Sequence, residues 1–324
     1  MGRSLPVAAL AIALALPASA GEPPADAVLA DVPFLEFPEP RRVVVDLAPE
    51  GNSRPLRFLV DTGATHNVAT PRAAAEFGIS VRRHKFDPYR RKTVLGRDVQ
   101  IYVDTRSSDT ASKTGWEYAL LGGDFMGRYV IEFDFAGRHM RFLDADRYRV
   151  PESVDVAGQA VVPLQVRNNR PGVALELNGS SRIVLVDTGA PPPLIVSGKV
   201  AEDAGLPAND LPRFRTGTVL GPMSSELRFV ETLALGPFVF SGVPAIVAQR
   251  GWYNQAMSND SAVGYELLTQ FSRVRIDYPR QRMWLERDPD AVLTFQGEPV
   301  DALGDRATPG EPEGRGRAPR EPRS

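Results

Sequence analysis

Apolar positions along this chain fall in short runs of four to six residues, rich in Val, Leu and Phe and bounded by Gly, Pro and Asn. That pattern predicts strands, since helices need longer stretches with a three-to-four-residue repeat. Arg42 to Leu47, Arg57 to Val60, Arg182 to Val186 and Phe238 to Val247 read as strands in this way. Asp134-Phe135-Ala136-Gly137-Arg138 and Asp277-Tyr278-Pro279-Arg280-Gln281 place turn residues between strand-like runs, which predicts hairpins over 130–142 and 274–285. Short helices are expected at Pro71 to Phe77 and Val200 to Ala204, stopped by Gly78 and Gly205, and again at Asp124 to Tyr129 and Glu266 to Phe271.

The pattern repeats. Val60-Asp61-Thr62-Gly63-Ala64 returns as Val186-Asp187-Thr188-Gly189-Ala190, and Thr93-Val94-Leu95-Gly96 as Thr218-Val219-Leu220-Gly221. Leu121-Gly122-Gly123-Asp124 is matched by Val263-Gly264-Tyr265-Glu266, and a hairpin follows each. Four matches in one order indicate a duplication. The fold class that follows is all-β and mainly antiparallel: two pseudo-symmetric β-barrel lobes with short helices. The first lobe is expected over 32–149 and the second over 160–290, joined by a polar linker at 150–159.

The ends differ from the body. Arg3, the apolar run Leu5 to Leu16 and Ala18-Ser19-Ala20 read as a secretory signal over 1–20, with an N-terminal membrane anchor as the alternative. Residues 21–31 read as a flexible lead, and 297–324, rich in Pro, Gly, Arg and Glu, as a disordered tail. The mature chain is expected outside the cytoplasm, periplasmic or extracellular, with no membrane span.

Lys plus Arg number 38 and Asp plus Glu 40, a net charge of -2 with both signs interspersed, which argues against a nucleic-acid partner. There is no cysteine, so disulfides, thiolate metal sites and cysteine nucleophiles are excluded. His66, His84 and His139 show no ligand spacing, Ser224 and Ser225 lack a nucleophile-elbow context, and no phosphate-binding loop occurs. No metal or other cofactor is expected.

What remains is the repeated Asp-Thr-Gly-Ala. Each copy follows an apolar strand (Phe58-Leu59-Val60 and Val184-Leu185-Val186), and the glycines Gly63 and Gly189 suit a tight turn presenting the carboxylate. Two such loops brought together by pseudo-symmetry would share one proton between Asp61 and Asp187, because like charges that close do not both ionise. The ionised member then activates a water and the protonated member polarises a carbonyl.

These motifs resemble the aspartic peptidases of the retropepsin and pepsin clan, especially the bacterial aspartyl protease family with retropepsin-like units. The resemblance spans Val32 to Glu286. It implies catalysis by Asp61 and Asp187, loops braced by Thr62 and Thr188, and support from the apolar-Gly segments ending at Gly122 and Gly264. It also implies flaps over the cleft, with Gly96 and Gly221 permitting close approach to substrate; an ordinary hairpin turn explains the same residues. The first copy lacks a clear Leu-x-Leu-Gly segment such as Leu233-Ala234-Leu235-Gly236, and Pro191, Pro192 and Pro193 follow the second motif. The activity implied is that of an aspartic endopeptidase acting on polypeptides as a monomer. A non-catalytic peptide-binding module of the same fold is the alternative.

Overall fold

The computed structural model of the protein describes residues 21–35, 42–48, 55–76, 78, 89–103, 119–208, 214–218, 221–248, 261–288 and 295. The expected signal over 1–20 and tail over 297–324 lie outside these residues.

Among the described residues strands predominate, in one six-stranded and one thirteen-stranded sheet. In the first copy, β2 (Val44–Leu47) pairs antiparallel with β3 (Leu56–Val60), which leads into Asp61. β4 (Asn67–Ala69) and the helix α1 (Pro71–Glu76) follow, then the hairpin of β5 (Tyr89–Val94) and β6 (Arg97–Val103). β7 (Ala119–Leu121), the single-turn helix α2 (Gly123–Met126) and the hairpin β8 (Val130–Asp134) to β9 (His139–Leu143) complete the copy.

The second copy repeats this order with longer strands. β10 (Gln159–Arg167), β11 (Arg170–Leu177) and β12 (Ser180–Asp187) lead to the second loop. Next come β13 (Leu194–Ser197), the helix α3 (Gly198–Asp203), and β14 (Phe214–Thr218), β15 (Gly221–Leu235) and β16 (Phe238–Ala248). β17 (Ser261–Gly264), α4 (Tyr265–Leu268), β18 (Arg273–Asp277) and β19 (Arg282–Glu286) end it. Ser197 caps α3 by accepting from the Val200 N–H at 3.2 Å, and Gly205 leaves it at a φ of 62°, a conformation glycine adopts without strain.

The hairpins β8–β9 and β18–β19 pair with each other across the pseudo-twofold axis, β8 antiparallel to β18. β1 (Val28–Pro33) flanks this ribbon beside β9 and β10 beside β19, giving the order β1-β9-β8-β18-β19-β10. The lead expected to be flexible over 21–31 is therefore partly strand. β1 satisfies the free edge of β9, Ala27 is fully buried, and Glu22 forms ion pairs with Arg141 and with Arg273, the latter at 3.0 Å. The expected linker is also anchored, since buried Val150 donates its N–H to Asp277 at 3.1 Å. Phe295 packs on Phe240, so the second lobe reaches beyond residue 290.

Glu132 and Arg275, facing partners in the β8–β18 register, are both fully buried and joined as an ion pair. Tyr148 accepts from the same guanidinium at 2.7 Å, and the Trp284 ring lies 4.2 Å from it. A charge buried without such partners is strongly destabilising, so this cluster depends on all its members. One continuous apolar core runs through both copies, from Phe58, Val60 and Phe133 to Val184, Val186 and Ile276.

The barrel expectation needs correction. In the second copy a short β11–β15 pairing closes a ring of six strands, β11-β12-β17-β13-β16-β15. In the first copy the described strands form an open sheet, β2-β3-β7-β4-β6-β5.

Candidate active site

Each aspartate lies at the end of a strand that runs parallel to the strand carrying the repeated apolar-Gly pair. Val60 lies opposite Leu121 on β7, and Val186 opposite Val263 on β17. From there the two loops are tied down in the same way. Gly123 and Tyr265 donate to the carbonyls of Ala64 and Ala190 at 2.9 and 2.7 Å, and Asp124 and Glu266 to those of Thr65 and Pro191 at 3.0 and 3.2 Å. Gly122 donates to the Asn67 side-chain oxygen at 2.9 Å where Gly264 donates to the Pro193 carbonyl at 3.1 Å. The triple proline is thus compatible with the loop, which uses carbonyls of Pro191 and Pro193 as acceptors; proline lacks only the donor. A Cβ on Gly122 would lie 2.4 Å from the His66 carbonyl oxygen, and one on Gly264 2.1 Å from that of Pro192. Only glycine allows these approaches.

The two loops meet through their threonines, both fully buried. The Thr62 hydroxyl donates to the Val186 carbonyl at 2.6 Å and accepts from the Thr188 N–H at 3.0 Å. Thr188 returns the arrangement, donating to the Val60 carbonyl at 2.8 Å and accepting from the Thr62 N–H at 3.1 Å. Each net hydrogen bond is worth about 0.5–1.5 kcal/mol, and each orphaned group would cost more.

This brace sets each carboxyl against the glycine of the opposite loop. A Cβ on Gly63 would lie 2.4 Å from Asp187 Cγ, and one on Gly189 2.5 Å from Asp61 Cγ. The glycines therefore do more than permit a turn: they make room for the partner's acid.

The two carboxyls are not equivalent. Asp187 Oδ1 accepts the N–H groups of Gly189 at 2.9 Å and Ala190 at 3.1 Å. Asp61 Oδ1 is closed off from solvent and has no hydrogen-bond partner. Burial first, and the neighbouring Asp187 charge second, push Asp61 well above the ordinary carboxylate range, with the Gly63 and Ala64 N–H groups opposing. Asp61 is thus the member disposed to hold the shared proton.

The two Thr-Val-Leu-Gly segments do not correspond in space. β6 runs parallel to β4 as β16 runs parallel to β13, which makes hairpin β5–β6 the counterpart of β15–β16. The Leu95-Gly96 turn, with φ of 52° and 69°, therefore matches the turn at Gly236. Contacts agree: Arg97, just past the first turn, acts on the Tyr129 hydroxyl, and Phe238, just past the second, packs on Phe271 at 5.1 Å. Both turns belong to the base of their copies, so Gly96 is not a flap glycine. Thr93 to Gly96 instead supplies the segment that the first copy was expected to lack. Gly221 opens β15 in the separate hairpin β14–β15, whose tip at 219–220 lies outside the described residues. Most of the stretch between α1 and β5 lies outside them too.

His66 lies 3.8 Å from Asp124 and His139 2.8 Å from Asp31, while His84 is outside the described residues. Among the described residues no three His, Cys, Asp or Glu side chains gather as a metal site. No helix of the described residues is long and apolar enough to cross a membrane. Two supporting residues were missed from sequence. Asn67 bridges three strands by accepting from Gly122 and donating to the Gln100 carbonyl at 3.0 Å, and half-buried Asp124 accepts the Asn67 N–H at 3.1 Å. Asn67 has no counterpart in the second copy, so the repeat gave no signal for it.

Two related all-β units meeting at paired Asp-Thr-Gly loops are the architecture of aspartyl proteases. The family described as Aspartyl protease matches residues 45–103 and 173–267, one region in each copy. A retropepsin-like aspartic protease from Rickettsia conorii is similar at 19% identity and a TM-score of 0.33, over 43% of this chain and 97% of that one. No curated protein matches the chain. Both copies of the chain are therefore similar to the Aspartyl protease family, whose match runs through each of them.

Proposed function

We propose that the protein is an aspartic endopeptidase that hydrolyses polypeptides with Asp61 and Asp187, working as a monomer outside the cytoplasm. The observation that carries this reading is the mutual seating of the two carboxyls, each against the glycine of the other's loop. In the working state Asp187 is ionised and Asp61 protonated. Asp187 takes a proton from a water as its oxygen attacks the scissile carbonyl carbon, and Asp61 donates its proton to the carbonyl oxygen. Proton transfer to the amide nitrogen then lets the C–N bond break, and the dyad returns to its singly protonated state. Both acids belong to one chain, so no second copy is needed. The apolar run before Ala20 motivates the assignment to the periplasm or medium.

The test is cleavage of an unstructured protein such as casein by the purified chain, with and without pepstatin. Pepstatin-sensitive cleavage lost in Asp61→Asn and Asp187→Asn supports the reading. Cleavage that persists in either variant at the parent rate overturns it. Sedimentation of the active species checks the monomer, and N-terminal sequencing of the exported chain checks processing after Ala20.

A further inference from the structure

The loops that carry the two acids are fastened at their far ends by different chemistry. Thr65, His66 and Asn67 form a short arc beyond Asp61, and Asp124 holds both ends of it. Its N–H donates to the Thr65 carbonyl at 3.0 Å, and its carboxyl Oδ1 accepts the Asn67 N–H at 3.1 Å. His66 stands in the middle of the arc, with Nδ1 3.8 Å from the other carboxyl oxygen of Asp124. The imidazole is half exposed, while the Asp124 side chain is 18% exposed. The arc closes in turn over Gly122, whose Cα faces the His66 carbonyl and whose N–H donates to Asn67 Oδ1 at 2.9 Å. One carboxyl thus fixes the path of the chain from Asp61 to β4.

The second copy has half of this clasp. Glu266 donates its N–H to the Pro191 carbonyl at 3.2 Å, as Asp124 does to Thr65. The other half is ruled out by covalent structure. Pro193 follows Asp187 at the interval by which Asn67 follows Asp61, and proline has no N–H to give. Pro191, Pro192 and Pro193 stiffen their arc through fixed φ angles, and each restricts the residue before it as well. The arc beyond Asp187 is therefore held by rings that no proton alters. The arc beyond Asp61 is held by a hydrogen bond to a group that titrates.

We propose that Asp124 is a positioning residue for Asp61, which it holds in place as a carboxylate with His66 as its counter-ion. An ionised acceptor makes a markedly stronger hydrogen bond than a neutral one, so protonation of Asp124 loosens the Asn67 end of the arc. Burial pushes Asp124 above the ordinary carboxylate range, opposed by the His66 charge, the Asn67 and Phe125 N–H groups and the Arg128 charge. Among the described residues the charged groups acting on it are thus His66 from the arc and Arg128 from the turn after α2; Asn67 on β4 and Gln100 on β6 present neutral groups. As pH falls through the Asp124 titration the arc slackens and Asp61 loses its seat, which adds to the acid limb of the pH–rate profile.

The inference rests on the dyad proposed above, and one of its readouts needs no turnover. Amide exchange followed by NMR reads the Asn67 N–H directly, and its protection should fall by roughly fivefold once Asp124 is protonated. His66→Gln removes the counter-ion, so the Asp124 carboxyl should titrate higher by roughly half a unit, and the acid limb of cleavage should move upward with it. Asp124→Asn keeps an oxygen for the Asn67 N–H but does not ionise; in that background His66→Gln should leave the acid limb in place. His139→Gln, at the pair with Asp31 on the β1–β9 edge, is the control and should move neither readout. Thermal unfolding checks that every variant is folded. Asn67 protection that ignores the Asp124 titration overturns the clasp. An acid limb that stays put in His66→Gln, or that moves equally in the Asp124→Asn background, overturns the positioning role. Absence of cleavage in the parent chain would overturn the peptidase reading alone, leaving exchange at Asn67 to decide on the clasp.

Discussion

The two copies agree closely where they touch and diverge elsewhere. Around the acids the threonine bonds are reciprocal, with Thr62 and Thr188 exchanging the same donors and acceptors within a few tenths of an ångström. Away from the acids the second copy closes a ring through β11–β15 and carries the 15-residue strand β15, while the described strands of the first form an open sheet with the shorter β5–β6 hairpin. Even the loop supports differ, a side-chain oxygen from Asn67 standing where the second copy uses the Pro193 carbonyl. The lesson is that symmetry is kept where two halves must match atom for atom. It relaxes where each half packs against itself.

The comparison is most severely broken at the acids. Asp61→Asn and Asp187→Asn should each cut cleavage by roughly 10²–10⁴-fold, since a shared-proton pair needs both groups; a steady-state assay on casein at the pH optimum checks this. Near-parental activity in either would show that the two copies do not act as one site.

Next in size are the glycines across from the acids. Gly63→Ala and Gly189→Ala place a methyl at 2.4 and 2.5 Å from the opposite carboxyl carbon, so the acid must move. Displacement of about 1 Å costs on the order of 10²-fold in rate. Circular dichroism should show intact folding, and the two variants should be equally impaired.

Thr62→Val and Thr188→Val remove the hydroxyls while preserving shape. Each leaves one N–H and one carbonyl without a partner, costing about 2–5 kcal/mol of stability. Equal losses in denaturant unfolding would confirm that the brace is reciprocal. A one-sided loss would show that one copy carries it.

A smaller effect exposes the inequality of the acids. The raised pKa of Asp61 means that its stability contribution is fully present below the ordinary carboxylate range and is lost as pH rises through the raised value. Asp61→Asn should therefore melt higher than the parent at neutral pH and lose that advantage near pH 3. A melting difference independent of pH would contradict the assignment.

Smallest of all is Ala64→Ser. A hydroxyl donating to ionised Asp61 favours that form, so the upper limb of the pH–rate profile should move to lower pH by a fraction of a unit.

Eight of the nineteen described strands (β2, β3, β8, β9, β12, β16, β18 and β19) and the four described α-helices were legible from apolar runs, turn residues and the glycine stops at Gly78 and Gly205. The helices after Gly122 and Gly264 came out as single turns, because the strands β8 and β18 begin soon after them to form the central ribbon. The lead was misread because β1 has no fully buried position, alternating between half-buried and exposed residues, and gains its order from the edge of β9. The flap assignment of Gly96 failed for a related reason. Four matching letters in two places set no register, and the partner strand of each hairpin decides which turn corresponds to which.

The sequence by itself determined what is carried by local chemistry and by duplication: an all-β chain, two copies, and one Asp-Thr-Gly-Ala in each at the end of an apolar strand. Those features need only neighbours a few residues away, or a second occurrence of the same words. Only the tertiary structure decided that one oxygen of Asp61 is closed off without a hydrogen-bond partner, and that each glycine makes room for the other copy's carboxyl. Burial and charge coupling are properties of groups more than a hundred residues apart, and they exist only once packing has set the distance between them.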